Sequence, residues 1–265
     1  MSNISNQAIF DEAKNYLLGF VGEEILEKHL RLGEKSKPDT ISLLYNGLLS
    51  SLSNRQGIGN SIGPIENLRS YLFDFNPQEV VANFGKDWKR LFKTIESSYD
   101  PPTKMDITKN GSYWVIFTRG IISGANFLAR FQSIEDFNEF VNHFYLNDII
   151  RAALPMLLAA EIYGLGFATA CDFLKENGYP EYVKPDVHIK DVFLGLGITS
   201  TKNDYEVFKE VTRFAKTIDE TPYAVDKLFW LIGSGRFYLD DIKVNTNKGK
   251  FIQRILKLME SIKLE

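Results

Sequence analysis

Apolar residues recur along this chain at helical spacing. From Gln7 to Leu30 the positions Ile9, Phe10, Ala13, Tyr16, Leu17 and Phe20 fall mostly three or four residues apart, the period of one or two amphipathic helices. Gly33–Asp39 (GEKSKPD) is rich in turn residues and reads as a loop. Thr40–Ser53 repeats the helical pattern through Ile41, Leu44, Tyr45, Leu48, Leu49 and Leu52. A glycine-rich connection, Asn54–Pro64 (NRQGIGNSIGP), precedes a helical restart at Ile65–Phe73. Asn76-Pro77 is a start signal, because the fixed φ of proline suits the first position of a helix, so Gln78–Phe84 is read as helix and Trp88–Ser97 as the next. Asp100-Pro101-Pro102 breaks the chain. Ser112–Phe131 is apolar and reads as helical in spite of Gly120 and Gly124. Ser133 and Asp136 form a variant of the capping box ahead of Phe137–Tyr145. Asp148–Glu161, Val187–Gly195, Asp204–Lys216, Pro222–Ile232 and Gly249–Leu264 complete the helical pattern. No alternating run is long enough for a sheet, and there is no internal repeat. The predicted fold class is all-α.

The stretch Tyr163–Ile189, YGLGFATACDFLKENGYPEYVKPDVHI, interrupts this regularity. A glycine inside a helix costs roughly 1 kcal/mol, and two stand here within three residues. After them Phe167, Ala170, Cys171 and Leu174 return to one apolar helical face, and Asn177-Gly178 supplies a stop. Before them Pro155 suits a first turn that Met156–Ile162 continues. Gly164-Leu165-Gly166 is therefore read as a tight turn between two short helices. Glycine there admits positive φ and close backbone approach. A turn that ends where a helix begins also directs free N–H groups outward, a natural place for an anion.

Composition limits the possibilities further. A hydrophobic fraction of 44%, with 20 Phe and 12 Tyr, supports a sizeable core and excludes a disordered chain. The 265 residues fit one large domain or two intertwined subdomains. Cys171 is the one cysteine, so neither a disulfide framework nor a four-cysteine zinc or iron–sulfur site can form within the chain. A reducing, intracellular and cytoplasmic setting is the simplest reading. The N-terminal MSNISNQAIFDEAKNY has no basic and apolar signal regions. The longest apolar region, AALPMLLAAEIYGLGFATA, is interrupted by Pro155, Glu161, Gly164 and Gly166, so no membrane span is expected. His29, His143 and His188 are too scattered for a histidine-rich metal site. The net charge of -3 argues against non-specific coating of nucleic acid while leaving room for a local basic face. From Asp241 onward six Lys/Arg outnumber three acids, an excess that a solvated helix explains as well as a DNA contact does.

Two motifs together carry a resemblance. Ile162-Tyr163-Gly164-Leu165-Gly166, followed by an apolar helix, is similar to the hairpin of the helix-hairpin-helix DNA glycosylase superfamily, which includes endonuclease III and the 8-oxoguanine glycosylases. Val183-Lys184-Pro185-Asp186-Val187-His188 resembles the segment that holds that family's essential aspartate, and it lies at the family's spacing from the hairpin. The match covers residues 154–198, with weaker support from Ala224–Gly233. The resemblance implies two helical subdomains, 1–34 with 161–265 and 35–160, and a cleft between them that holds the hairpin and Asp186. The implied partner is double-stranded DNA with one nucleotide flipped out, acted on by a monomer.

The same resemblance implies roles. Asp186 would be the catalytic carboxylate, stabilising an oxocarbenium-like sugar and directing water. Its bland alternative is a helix N-cap, the commonest work of an aspartate there, and the two roles are compatible. The lyase members carry a lysine two residues after the second hairpin glycine. Here that position is Ala168, which implies a monofunctional enzyme. Lys184 and Lys190 could substitute as nucleophiles only if desolvated. Gly164, Leu165, Gly166 and the N–H groups of Phe167 and Ala168 would hold a DNA phosphate, and the carbonyls of Ile162 and Leu165 a Na+ or K+ ion. No other cofactor and no iron–sulfur cluster is implied. Asn54 and Gln56 would form the lip of a base pocket, amides being suited to reading base edges, unless their loop is a plain connection. His188 would shape the pocket, or simply pack. The expected function is thus a base-excision-repair DNA N-glycosylase, a hydrolase that removes a damaged or modified base. The alternatives are a catalytically inactive helix-hairpin-helix DNA-binding protein and a helical interaction module.

Overall fold

The computed structural model describes residues 5–32, 37–54 and 58–262. The elements run α1 (Asn6–Leu18), α2 (Glu23–Leu30), α3 (Ile41–Ser53), α4 (Ile58–Ile62), a 3-10 segment (Ile65–Leu72), α5 (Pro77–Phe84), α6 (Trp88–Glu96), α7 (Tyr113–Leu128), α8 (Ile134–Tyr145), α9 (Ala153–Glu161), α10 (Phe167–Glu176), α11 (Val187–Gly195), α12 (Asp204–Thr217), α13 (Pro222–Ser234), β1 (Arg236–Phe237), β2 (Ile242–Lys243) and α14 (Lys248–Ile262). The protein is all-α. Its minor sheet is an antiparallel ribbon pairing Arg236 with Lys243 and Phe237 with Ile242, too short to leave a period in the sequence.

Asn76 and Ser133, start signals read from the sequence, act as side-chain caps, and so does Thr40. Thr40 accepts from the Leu43 amide at the head of α3, Asn76 from those of Gln78 and Glu79 at α5, and Ser133 from that of Asp136 at α8. Each such bond satisfies an amide that has no intrahelical partner, a contribution of about 1 kcal/mol. The restart expected as α-helix at Ile65–Phe73 is instead a 3-10 segment. Phe73, Asp74 and Phe75 after it all take positive φ, which ends it abruptly.

The chain divides into two compact units, Ser36–Asn177 and Met1–Lys35 with Gly178–Glu265. Residues 161–177, expected in the same subdomain as the termini, fall in the middle unit. The hairpin is therefore built on α9 and α10 of Ser36–Asn177, while Asp186 belongs to the other unit.

In Ser36–Asn177, α7 packs on α3, α5 and α6, and α10 packs on α3 and α9. Trp114, Phe117, Ile121 and Leu128 of α7 are buried with Leu44, Tyr45, Leu48 and Leu49 of α3, and the Tyr45 hydroxyl donates to the Ile121 carbonyl at 2.8 Å. The two glycines inside α7 are explained by close approach. A Cβ on Gly120 would stand 3.0 Å from the Tyr163 carbonyl oxygen, and one on Gly124 would stand 2.8 Å from Leu48. The intrinsic cost of glycine in a helix is offset because α3 and the hairpin backbone can then seat directly on α7.

In the other unit α13 is the central helix. It is buried on every side and packs on α1, α2, α11, α12 and α14. Its Phe229 meets Phe193 of α11 and Phe214 of α12, and those two meet each other, edge-on or tilted at centroid distances of 5.4 to 5.9 Å. Among the described residues no helix is long and apolar enough to cross a membrane.

Candidate functional site

The turn between α9 and α10 is tight. The Leu165 amide donates to the Ile162 carbonyl at 3.1 Å, and Gly164 sits at φ 82°. Ser123 of α7 accepts the Tyr163 amide at 2.8 Å, so the turn is pinned to a buried helix from behind. Leu165 itself is buried. Gly166 then opens α10 in an extended conformation, φ -92° and ψ 170°, with no side-chain cap. The Ala168 and Thr169 amides of the first turn make no hydrogen bond among the described residues, and the Ala170 amide is the first to close, onto the Gly166 carbonyl at 2.8 Å. Positive partial charge is thus concentrated at this helix start.

Gly164 and Gly166 differ in why they are glycine. The positive φ of Gly164 is a conformation that disfavours any side chain. Gly166 has an ordinary backbone, and an added Cβ would meet nothing within 4 Å. Nothing within the unit demands a glycine there.

The second motif is built differently. Asp186 caps α11: its Oδ1 accepts the amides of His188 at 2.8 Å and Ile189 at 3.1 Å. The segment before it is held from α13. The Lys184 amide donates to Asp226 Oδ2 at 3.0 Å, and the Tyr223 amide donates to the Pro180 carbonyl at 2.9 Å. Asp226 is 1% exposed, a buried carboxylate directed at the strand of chain that presents Asp186. Sequence reading gave it no role, since forty-odd residues separate it from the amide that it holds and no local pattern marks it.

Lys190 is ion-paired with Asp204 at the start of α12, so its amine is engaged with a carboxylate and does not stand free as a nucleophile. The His188 ring packs against Gly233, where a Cβ would stand 2.3 Å from Nδ1, and meets Trp230 edge-on at 6.5 Å. Its buried Nδ1 has no hydrogen-bond partner among the described residues. Asn54 directs its amide at Asp172 of α10, with Nδ2 to Oδ2 at 3.4 Å, so it ties the end of α3 to the helix after the hairpin. Gln56 lies outside the described residues.

The first motif can bind an anion through main-chain amides, and the second presents a carboxylate of fixed rotamer. Comparison of the chain with protein-family models, with curated proteins and with solved structures finds no match.

Proposed function

We propose that this chain is a monofunctional DNA N-glycosylase, in which the start of α10 grips a backbone phosphate and Asp186 serves the hydrolysis. The observation that carries the reading is Gly166. Its backbone would accept any residue and its Cβ position is empty, so the glycine is best understood as clearance for a ligand that approaches the uncapped amides of Ala168 and Thr169. A phosphodiester suits that site, because helix starts bind phosphate through such amides. These contacts position DNA without reading its sequence. The Ile162 carbonyl already accepts one N–H, and its second lone pair, with the Leu165 carbonyl, could share a Na+ or K+ ion that neutralises the phosphate.

In the proposed reaction the bond between C1′ and the base nitrogen breaks, and its electrons leave with the base. Asp186 stabilises the positive charge that develops on the sugar, an interaction stronger in the transition state than in the ground state. The oxygen of a water molecule then bonds to C1′, and its proton passes to the carboxylate and on to solvent or the departing base. Ala168 offers no amine for a covalent intermediate, and Lys190 is held in an ion pair.

A second reading, a protein that binds DNA without acting on it, is favoured by the use of Asp186 Oδ1 as a helix cap. One experiment separates them. Duplexes that carry a panel of base lesions are incubated with the chain and then treated with hot alkali. Excision predicts strand breaks that fall by about 100-fold or more in Asp186→Asn, a variant that keeps the cap. Duplex binding without breaks across a broad panel would leave the second reading standing.

A further inference from the structure

Cations of the Ser36–Asn177 unit fall into two populations. Arg69, Lys109, Arg130, Arg151 and Lys175 each face a carboxylate. Lys86, Lys89, Arg90, Lys93, Arg119 and, away from them in the sequence, Lys104 make no ion pair among the described residues, although the chain as a whole is acidic. The first four line the exposed side of α6 and the turn before it, at spacings of three and four that keep them on one face. The buried side of that helix is Leu91, Phe92 and Ile95. The one acid among them, Asp87, uses its carboxylate to cap α6 by accepting the Arg90 amide.

Arg119 of α7 joins this face to the hairpin. Its guanidinium lies 3.7 Å from the ring centroid of Tyr163 and 5.8 Å from that of Trp88, and Lys89 stands 5.8 Å from the same Trp88 ring on its own account. A guanidinium stacked on a ring keeps its in-plane N–H donors available. Here no carboxylate among the described residues takes them. Tyr163 itself is 39% exposed and immediately precedes Gly164. The result is a half-buried arginine held in place by rings, with open donors and uncompensated lysines beside it, next to the turn already read as a phosphate grip.

We propose that Trp88, Lys89, Arg119 and Tyr163 form a second phosphodiester-binding site, with Lys86 and Lys93 extending it along α6, so that the DNA backbone is held at the hairpin and again at this face. The inference rests on the reading of the hairpin as a DNA contact. A nucleic acid fits better than an acidic peptide because both aromatic groups stand among the cations, and cations interleaved with rings suit phosphates that alternate with stackable bases. Arg119 supplies the fork geometry that matches phosphate oxygens in pairs.

The test is the salt dependence of duplex affinity, read by anisotropy of a labelled undamaged duplex between about 50 and 200 mM salt. The full chain is compared with Lys89→Gln/Arg119→Gln and, as a pair on exposed positions, Lys86→Gln/Lys93→Gln. Each lost phosphate contact lowers the slope of log affinity against log salt by about 0.9, so each double variant should lose about 1 to 2 from that slope. Arg119→Lys should keep the slope and still bind more weakly. Slopes equal to that of the unaltered chain in both double variants would overturn the proposal. So would an unaltered chain with no duplex affinity at the lowest salt, or displacement of the duplex by polyglutamate at equal charge, which would indicate an acidic protein partner. Base excision measured on the same samples keeps the two readings apart. Lowered slopes without any excision would refute the glycosylase while leaving this site in place, and excision with unchanged slopes would do the reverse.

Discussion

Helices α10 and α11 begin in opposite ways. The first turn of α11 is closed by its own chain, with Asp186 Oδ1 taking two amides and Asp226 bracing the approach from α13. The first turn of α10 is left open behind a glycine. Among the described residues α2, α9 and the 3-10 segment also lack a side-chain cap, but each has a local substitute, in the 3-10 segment Glu66 and the Asn67 amide that donates to the Pro64 carbonyl. Glu23 and Glu24 stand in the first turn of α2, and the amides at the head of α9 donate to the turn before it. At α10 there is no acid in the first turn, and the amides of Ala168 and Thr169 meet no acceptor among the described residues. A cap contributes about 1 kcal/mol, and the backbone at Gly166 would accept Ser or Asp. The chain forgoes that stabilisation at the motif proposed to take a phosphate.

The contrast can be broken most severely from the closed side. Asp226→Ala would leave the Lys184 amide without its acceptor and remove a buried carboxylate, at an expected cost of about 2 to 3 kcal/mol. The urea midpoint measures it, and a loss under about 1 kcal/mol would mean that the Asp186 segment does not depend on α13. Gly164→Ala comes next. Forcing an alanine to φ 82° should cost about 1 to 2 kcal/mol, which places the strain of the turn at its first glycine. Asp186 gives a smaller pair of effects. Asp186→Ala removes the cap for about 1 kcal/mol, whereas Asp186→Asn, an equally good cap, should stay within a few tenths. Equal losses in the two variants would show that charge, and not the hydrogen-bonded cap, holds α11.

The closed motif was partly legible in the sequence and the open one more fully, for physical reasons. Caps, prolines and helix stops act within a few residues, so Asn76-Pro77, Ser133 and Asn177-Gly178 could be read directly. The Gly-Leu-Gly turn follows from the same local logic. What escaped is long-range. Gly120 and Gly124 look like defects of α7 until Tyr163 and Leu48 are seen against them. The hold of Asp226 on Lys184, the stack of Arg119 on Tyr163 and the reach of Asn54 to Asp172 each join residues far apart in the chain. The 3-10 segment at Ile65–Leu72 carried a helical pattern in its side chains, and only the three left-handed residues after it show why it does not continue. The placement of 161–177 in the middle unit follows from packing of α10 on α3 and α9, which no periodicity reports.

The smallest expected change in stability is also the sharpest probe of the comparison. In Gly166→Ala two modest terms oppose each other. Alanine is a poorer N-cap than glycine by roughly 0.5 to 1 kcal/mol. It also restricts the unfolded chain, which stabilises by about 0.4 to 1 kcal/mol where the native φ suits it, as -92° does. With no atom within 4 Å of the new methyl group there is no steric term, so the urea midpoint should barely move. Duplex affinity should nevertheless fall if the clearance at Gly166 is what lets a phosphate approach the α10 start, as proposed. Gly166→Ser refines the test: its hydroxyl can cap α10 and so should raise stability while competing with the phosphate for the same amides. Stability and affinity would then move in opposite directions in a single substitution. If both variants bind the duplex as tightly as the unaltered chain, the open start of α10 is not where DNA is held, and the difference between the two helices is one of packing alone.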